Sequence, residues 1–331
     1  GIHKKSIFEK IVSIDNLFDA WRLFVRGKRN KVEVSNFAYR IEDHLFELQE
    51  KLVAQTWVHD HYTRFVVCDP KPRIIHKPSI IDRIVHHAVV NVIEPIFEPS
   101  FIFDSWSCRS GKGNIPSVYR AQQELERLSC GNRKTVWVLK CDVKKFFQSI
   151  NQNVLLKKFA SMVDVKTFNL MENIIKSFPS GLPLGNLTSQ LCANIYMNSF
   201  DHFMKEVISA PVYLRYSDDF IVADYSRTHL LDVRYMVEEF LMQNLHLILH
   251  PQKISLRSFH NGIDWLGYVM YPSSRTMRPV TKTRMWHTID RAVSEDDEVS
   301  FNSRLMSWYG NTSHLTSQYA HKKIDLMSRV L

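Results

Sequence analysis

The chain has 331 residues, 45% of them hydrophobic and 12% aromatic, which is enough for one large multilobed domain or two ordinary ones and excludes disorder. A formal charge of +9 favours an anionic partner, nucleic acid first and an anionic membrane second. No apolar run approaches the ~18 residues of a membrane span and no signal peptide opens the chain, so the membrane reading is set aside. Five scattered cysteines (Cys68, Cys108, Cys130, Cys141, Cys192) lack CxxC spacing, which suits thiols in a reducing cytoplasm and argues against zinc.

Residues 1 to about 60 read as helical. Phe37, Ile41, Leu45, Leu48 and Leu52 recur at spacings of three and four, the mark of one apolar helix face. Gly27-Lys-Arg-Asn-Lys31 is a basic loop, read as a solvated turn or a phosphate contact. Phe65-Val-Val-Cys68 predicts a strand, and Asp69-Pro-Lys-Pro-Arg-Ile-Ile75 follows it. Its two prolines force extended backbone and hold Lys71 and Arg73 in a defined loop, a geometry that can clamp a triphosphate. A helix is expected from just after Pro78, with Ile81, Ile84, Val85, Ala88, Val92 and Ile96 inward, ending near Pro95. Within it His86 and His87 are adjacent and point to different faces, which suits packing better than metal ligation. Arg109-Ser-Gly-Lys-Gly113 allows close backbone approach to a phosphate but lacks the Walker pattern.

Thr135 to Asp142 predicts a buried strand with Asp142 last on its face. There the carboxylate can meet a metal or simply cap the next helix. Pro179-Ser-Gly-Leu-Pro-Leu-Gly185 is a turn-rich loop feeding a helix from about Thr188 to Lys205, and Gly185 admits a ligand closely. Tyr213-Leu-Arg-Tyr-Ser-Asp-Asp-Phe-Ile-Val-Ala223 reads as two strands joined by a tight hairpin with adjacent carboxylates at its tip. Like charges that close repel, which points to a Mg²⁺ site, while Asp is also a favoured turn residue. These residues alone leave both readings open. A helix (Leu230 to Asn244), the segment Leu247-Ile-Leu-His-Pro-Gln-Lys253, Trp265-Leu-Gly-Tyr268 and a basic helical C-terminus from Thr281, with Arg284, Arg291 and Lys322-Lys323, complete the chain. No internal repeat is present.

Taken in order, Asp142 at a strand end, a Gly-containing loop into a helix, Tyr216-Ser-Asp-Asp219 and Trp265-Leu-Gly-Tyr268 resemble the palm motifs of reverse transcriptases. The likeness covers roughly residues 60 to 275. It implies an α+β right-hand polymerase: an N-terminal helical extension (1–60), fingers (61–135), a palm of antiparallel sheet packed on helices (136–275, with part of the fingers inserted at about 155–185) and a helical thumb (276–331). It also implies RNA-directed DNA synthesis by two-metal phosphoryl transfer, with Asp142, Asp218 and Asp219 holding two Mg²⁺, for which Mn²⁺ can substitute. By position, Lys253 protonates the leaving pyrophosphate. Phe147 falls at the steric gate against a ribose 2′-hydroxyl, and Lys71 and Arg73 grip the triphosphate. Trp265, Leu266, Gly267 and Tyr268 look like the primer grip.

Within the family, Leu184-Gly-Asn-Leu-Thr-Ser-Gln190 resembles the signature of diversity-generating retroelement enzymes, where many relatives have Gln at the first position and Pro at the last. Lys71-Pro-Arg-Ile-Ile75, Asp82-Arg-Ile-Val-His-His-Ala88, Glu94-Pro-Ile-Phe-Glu98 and Cys108-Arg-Ser-Gly-Lys-Gly113 are similar to that group too. Its length also agrees, with a short N-terminal extension and no appended nuclease domain. Leu184, Gly185 and Gln190 then line the nucleotide pocket. Leu184 removes a polar contact worth on the order of 1 kcal/mol, a several-fold effect that does not account for frequent misincorporation. The resemblance implies a template RNA, its cDNA or primer and dNTPs as partners, a small basic accessory protein, and adenine-directed errors. The alternatives are an antiphage-defence or group-II-intron-like reverse transcriptase and a catalytically silent RNA-binding scaffold.

Overall fold

A computed structural model describes residues 6–68 and 72–294. Four helices open the chain: α1 (Ile7–Ile11), α2 (Ile14–Phe24), α3 (Val32–Ala38) and α4 (Ile41–Val53). Strands β1 (Thr63–Val67) and β2 (Arg73–Lys77) lead into α5 (Ile80–Phe97) and α6 (Asn114–Leu128). Then come β3 (Trp137–Asp142), α7 (Phe146–Ser149), α8 (Gln152–Ala160), α9 (Val165–Lys176) and α10 (Leu187–His202). The hairpin β4 (Val212–Tyr216) and β5 (Asp219–Asp224) precedes α11 (Arg227–Leu245) and β6 (Ser255–Ser258). Strands β7 (Ile263–Trp265), β8 (Tyr268–Tyr271) and β9 (Ser274–Met277) and helix α12 (Pro279–Ser294) end the described chain.

The chain groups into two compact units. The first takes residues up to Cys108, Val143–Phe203 and Glu238–Leu249. Among the described residues it is mainly helical, with the antiparallel β1–β2 ribbon and an isolated bridge between Val143 and Leu249. Helices α1 and α5 start where side chains satisfy the free amides: Ser6 and Glu9 form a capping box on α1, and Ser79 accepts from the Asp82 amide to start α5. Helix α5 buries Ile84, Val85, Ala88, Val89 and Ile93 and packs on α2 and α10. Helix α10 buries residues all round its circumference, as a central helix does.

The second unit comprises Arg109–Asp142, Met204–Val237 and the chain from His250. Its four-stranded antiparallel sheet has the order β4-β5-β3-β6, and its three-stranded sheet the order β7-β8-β9. Helix α6 packs on β4 and on β8. Val138, Leu139 and Cys141 of β3 are all buried, so that strand is covered on both faces.

Several expected elements shift. The periodic series from Phe37 to Leu52 spans two helices, because the backbone leaves helical geometry at Arg40 (φ −123°, ψ 38°). Leu45, Leu48 and Leu52 are buried, whereas Phe37 and Ile41 are half-buried. Helix α5 passes Pro95 and ends at Phe97; a proline in the last turn forfeits only one hydrogen bond, which the buried face outweighs. Helix α10 ends at His202, and Phe203–Ile208 continues as a wider π-type turn. The predicted C-terminal helix is α12, and the remainder, with Lys322-Lys323, lies outside the described residues. No described helix is long and apolar enough to cross a membrane.

Candidate active site

The β4–β5 register pairs Tyr216 with Asp219 and leaves a two-residue turn, Ser217-Asp218. Ser217 is left-handed (φ +56°), as the first central residue of a primed hairpin turn must be. Arg215, fully buried, donates from Nη1 to the Ser217 carbonyl at 2.9 Å and so ties the turn to the strand. The β3–β5 register then sets Asp142 directly opposite Asp219. The His250 amide donates to the Asp142 backbone carbonyl at 2.7 Å. Lys253, on the short turn Pro251–Lys253, reaches Asp142 Oδ2 with its Nζ at 2.8 Å. The structure thus brings Asp142, Asp218, Asp219 and Lys253 together within the second unit.

Electrostatics follow from that crowding. Burial, and then the charge of Asp142, raise Asp218 above the usual carboxylate range. Burial pushes Asp219 up to about 7; Lys140 pulls it down, while Asp218 and Asp142 add repulsion. Lys140 shares a face of β3 with Asp142, two residues on. Asp142 Oδ1 is buried without a hydrogen-bond partner. Hard oxygen donors, an orphaned carboxylate oxygen and carboxylates that resist ionising together fit a divalent cation of the Mg²⁺ type. The fit lies in charge and donor type: among the described residues no three His, Cys, Asp or Glu side chains already converge as a metal cluster.

The first unit gathers a second set. Arg73 opens β2 and is exposed, opposite Val67, while Lys71 lies outside the described residues. Further along β2 the His76 amide donates to the Leu184 carbonyl at 3.4 Å. Gly185 (φ +104°) lies so close to β2 that a Cβ there would stand 2.9 Å from Ile75 Cγ2. The strand of Arg73 and the Leu184–Gly185 loop are therefore neighbours. Gln190 is half-buried in the first turns of α10. Phe147 is half-buried on α7, and its carbonyl accepts the Leu182 amide at 2.7 Å.

Trp265 and Tyr268 face each other across the β7–β8 hairpin. Both are buried, and the Trp265 indole N–H donates to Ser117 Oγ at 3.2 Å. Only Leu266 and Gly267, both left-handed and half-buried at the tip, are presented outward. The rings of this motif are core, and only its tip is open to contact.

Sequence reasoning passed over Lys140, Arg215 and Gly181. Lys140 falls on the Asp142 face by strand periodicity, but a lysine in a strand carries no signal of a role on its own. Arg215 was hidden in an apolar strand pattern, though a charged residue there is itself a signal. Gly181 (φ +65°) sits where a Cβ would fall 2.3 Å from the Phe147 carbonyl oxygen, a long-range contact that loop composition does not show.

Residues 69–270 match the family model described as reverse transcriptase (RNA-dependent DNA polymerase). That is more than half of the chain, which belongs to this family. YkfC of Escherichia coli is 23% identical over 243 residues, 60% of this chain and 63% of that protein. The group II intron-encoded protein LtrA of Lactococcus lactis is 26% identical over 170 residues, 48% of this chain and 27% of LtrA. The chain therefore spans less than two thirds of the length of these relatives. Among solved structures, apo telomerase from Candida tropicalis, truncated from the C-terminal domain, aligns with a TM-score of 0.51 at 12% identity, covering 70% of this chain and 59% of that one. Telomerase from Candida albicans, in complex with a fragment of telomeric RNA, gives 0.50 at 10% identity over 85% and 63%. At such identities the likeness speaks of fold alone, and the mixed helices and antiparallel sheets agree with the expected right-hand polymerase architecture.

Proposed function

We propose that the chain is an RNA-directed DNA polymerase whose chemistry is centred on Asp142, Asp218 and Asp219. The observation that carries this reading is the register setting Asp142 opposite Asp219 with Asp218 at the adjoining turn. Bound there, two Mg²⁺ would activate the primer 3′-hydroxyl and steady the triphosphate. Lys253, paired with Asp142 at 2.8 Å, would give a proton to the departing pyrophosphate. Arg73, with Lys71, grips the triphosphate, while Phe147, Leu184, Gly185 and Gln190 border the nucleotide and its sugar. The tip of Trp265-Leu-Gly-Tyr268 steadies the primer. In this reading the domain limits are those given above, and template RNA, primer or cDNA and dNTPs are the partners. Five free thiols support a reducing, cytoplasmic setting.

The biological assignment is to a diversity-generating retroelement, in which error-prone, adenine-mutagenised cDNA is made with a small basic accessory protein. Leu184-Gly-Asn-Leu-Thr-Ser-Gln190 supports it. A second reading, a group-II-intron-like reverse transcriptase, is favoured by the similarity to LtrA. Purified protein with primed RNA, dNTPs and Mg²⁺ should make cDNA, and Asp218→Ala should abolish it; undiminished synthesis by that variant removes the active-site assignment. Sequencing the product separates the two readings, since errors concentrated at template adenines belong to the first alone.

A further inference from the structure

The first unit holds a buried polar chain that the reading above does not use. His86 on α5 is 2% exposed. Its Nδ1 lies 2.6 Å from Thr188 Oγ1, and its Nε2 lies 3.0 Å from Nε2 of His59. Nδ1 of His59 is 2.6 Å from the Asp60 carbonyl oxygen, with the Asp82 carboxylate 3.7 Å away. A carbonyl and a carboxylate only accept, so this Nδ1 carries the hydrogen, and in the neutral ring Nε2 accepts. His86 must then donate from Nε2 and accept at Nδ1 from the Thr188 hydroxyl. With a neutral His59 ring each bond has one direction, from Thr188 to His86 to His59 to the Asp60 carbonyl. Burial above all holds His86 down to about 3, which keeps its ring neutral.

Thr188 is the second residue of α10 and stands three residues beyond Gly185. On its other side the loop is held by longer bonds. The His76 amide to the Leu184 carbonyl and Asn186 Nδ2 to the Tyr62 hydroxyl both measure 3.4 Å, beyond the usual range. The short bonds behind the loop therefore fix the first turn of α10, and the loop with it. We propose that Thr188 and His86 are positioning residues that set the Leu184–Asn186 loop from behind, so that dNTP binding depends on a hydroxyl–imidazole bond remote from the nucleotide. This rests on the reading that the loop borders the nucleotide. Loosening the bond lowers the fraction of molecules with the loop in place, which weakens apparent nucleotide affinity by the same factor.

The test uses the full chain on poly(rA) primed with oligo(dT). Thr188→Val keeps the shape and removes the donor. KM for dTTP should rise, by up to about fivefold, the factor one net hydrogen bond supplies, with kcat and the KM for primed template near wild type. Thr188→Ser, which restores the hydroxyl, should bring KM back. A role confined to stability would lower the melting temperature and leave KM unmoved, and that result overturns the proposal. Should Thr188→Val not fold, Thr188→Cys, a weak donor of similar size, should show a smaller rise, and an unchanged KM there overturns the proposal equally. Arg73→Ala separates the two levels. If it raises KM while Thr188→Val does not, only the positioning role fails; if neither does, the nucleotide reading of this face fails as well.

Discussion

Gly181 offers a quantitative test of how the Phe147 backbone is seated. Its φ of +65° alone would strain an alanine by ~1–2 kcal/mol. Gly131 has nearly the same φ, +66°, but nothing within 4 Å of its would-be Cβ, so Gly131→Ala measures that strain by itself. At Gly181 the new Cβ would lie 2.3 Å from the Phe147 carbonyl oxygen and 2.6 Å from that of Gln148. Ordinary contact begins near 3.4 Å, so one backbone segment must retreat by about 1 Å. The Leu182 amide now sits 2.7 Å from that same Phe147 oxygen, and such a retreat breaks the bond, at a cost of ~1–3 kcal/mol. Gly181→Ala should therefore lose ~2–5 kcal/mol against ~1–2 kcal/mol for Gly131→Ala in urea denaturation. If the Phe147 segment is the one that retreats, its proposed role against the sugar implies that Gly181→Ala should also incorporate ribonucleotides more readily, read as the ratio of rNTP to dNTP addition. Equal destabilisation of the two variants would refute the clash, and unchanged sugar selectivity would refute the link to Phe147.

The buried His86 makes stability depend on pH. Its folded pKa of about 3 is below the ordinary value of 6.5, so the unfolded chain alone takes up the proton as pH falls. Stability should be full above about pH 6.5 and decline toward pH 3, by ~2 kcal/mol at pH 5. His59 also faces this ring, with the Asp82 carboxylate 3.7 Å from the far side of His59, and His87 adjoins it; His86→Phe should shrink the slope, and urea curves at pH 7 and pH 5 with and without that change decide it. At the hairpin, Ser217→Gly should keep stability and cDNA yield, whereas Ser217→Val should lose ~1–2 kcal/mol and most activity, because a β-branched residue resists φ of +56°. Equal behaviour of the two would remove the strained turn from the account.

Local signals were the legible ones. The hairpin from Tyr213 to Ala223 and the strand ending at Asp142 are short β-favouring runs bounded by polar residues, and both form as read. Their alignment is a different matter. That Asp142 meets Asp219 depends on a strand pairing across more than seventy residues, which chain order suggested only through a family likeness. The 2.8 Å bond from Lys253 to Asp142 is of the same non-local kind. The Phe37–Leu52 pattern misled because a break at Tyr39 and Arg40 kept the apolar spacing while turning the backbone. Trp265 and Tyr268 misled differently: large amphipathic rings suit a core as well as a ligand surface, and only burial separates the two uses.

The same distinction bears on the loop that separates the retroelement reading from its rival. Around Leu184 the hydrogen-bonded anchors belong to backbone and neighbours: the Leu184 carbonyl, the Asn186 amide side chain and the Thr188 hydroxyl. The Leu184 side chain is half-buried and carries no donor or acceptor of its own. The loop's position is therefore set without reference to which residue stands at 184. A polymerase can vary that residue and change what the nucleotide touches while its backbone stays in place. Variation at Thr188 or His86 has no such freedom, since either change leaves a buried polar atom unpaired. On the proposed reading, selectivity and placement would be carried by different residues four positions apart, so a sequence signature could mark a subclass without altering the fold.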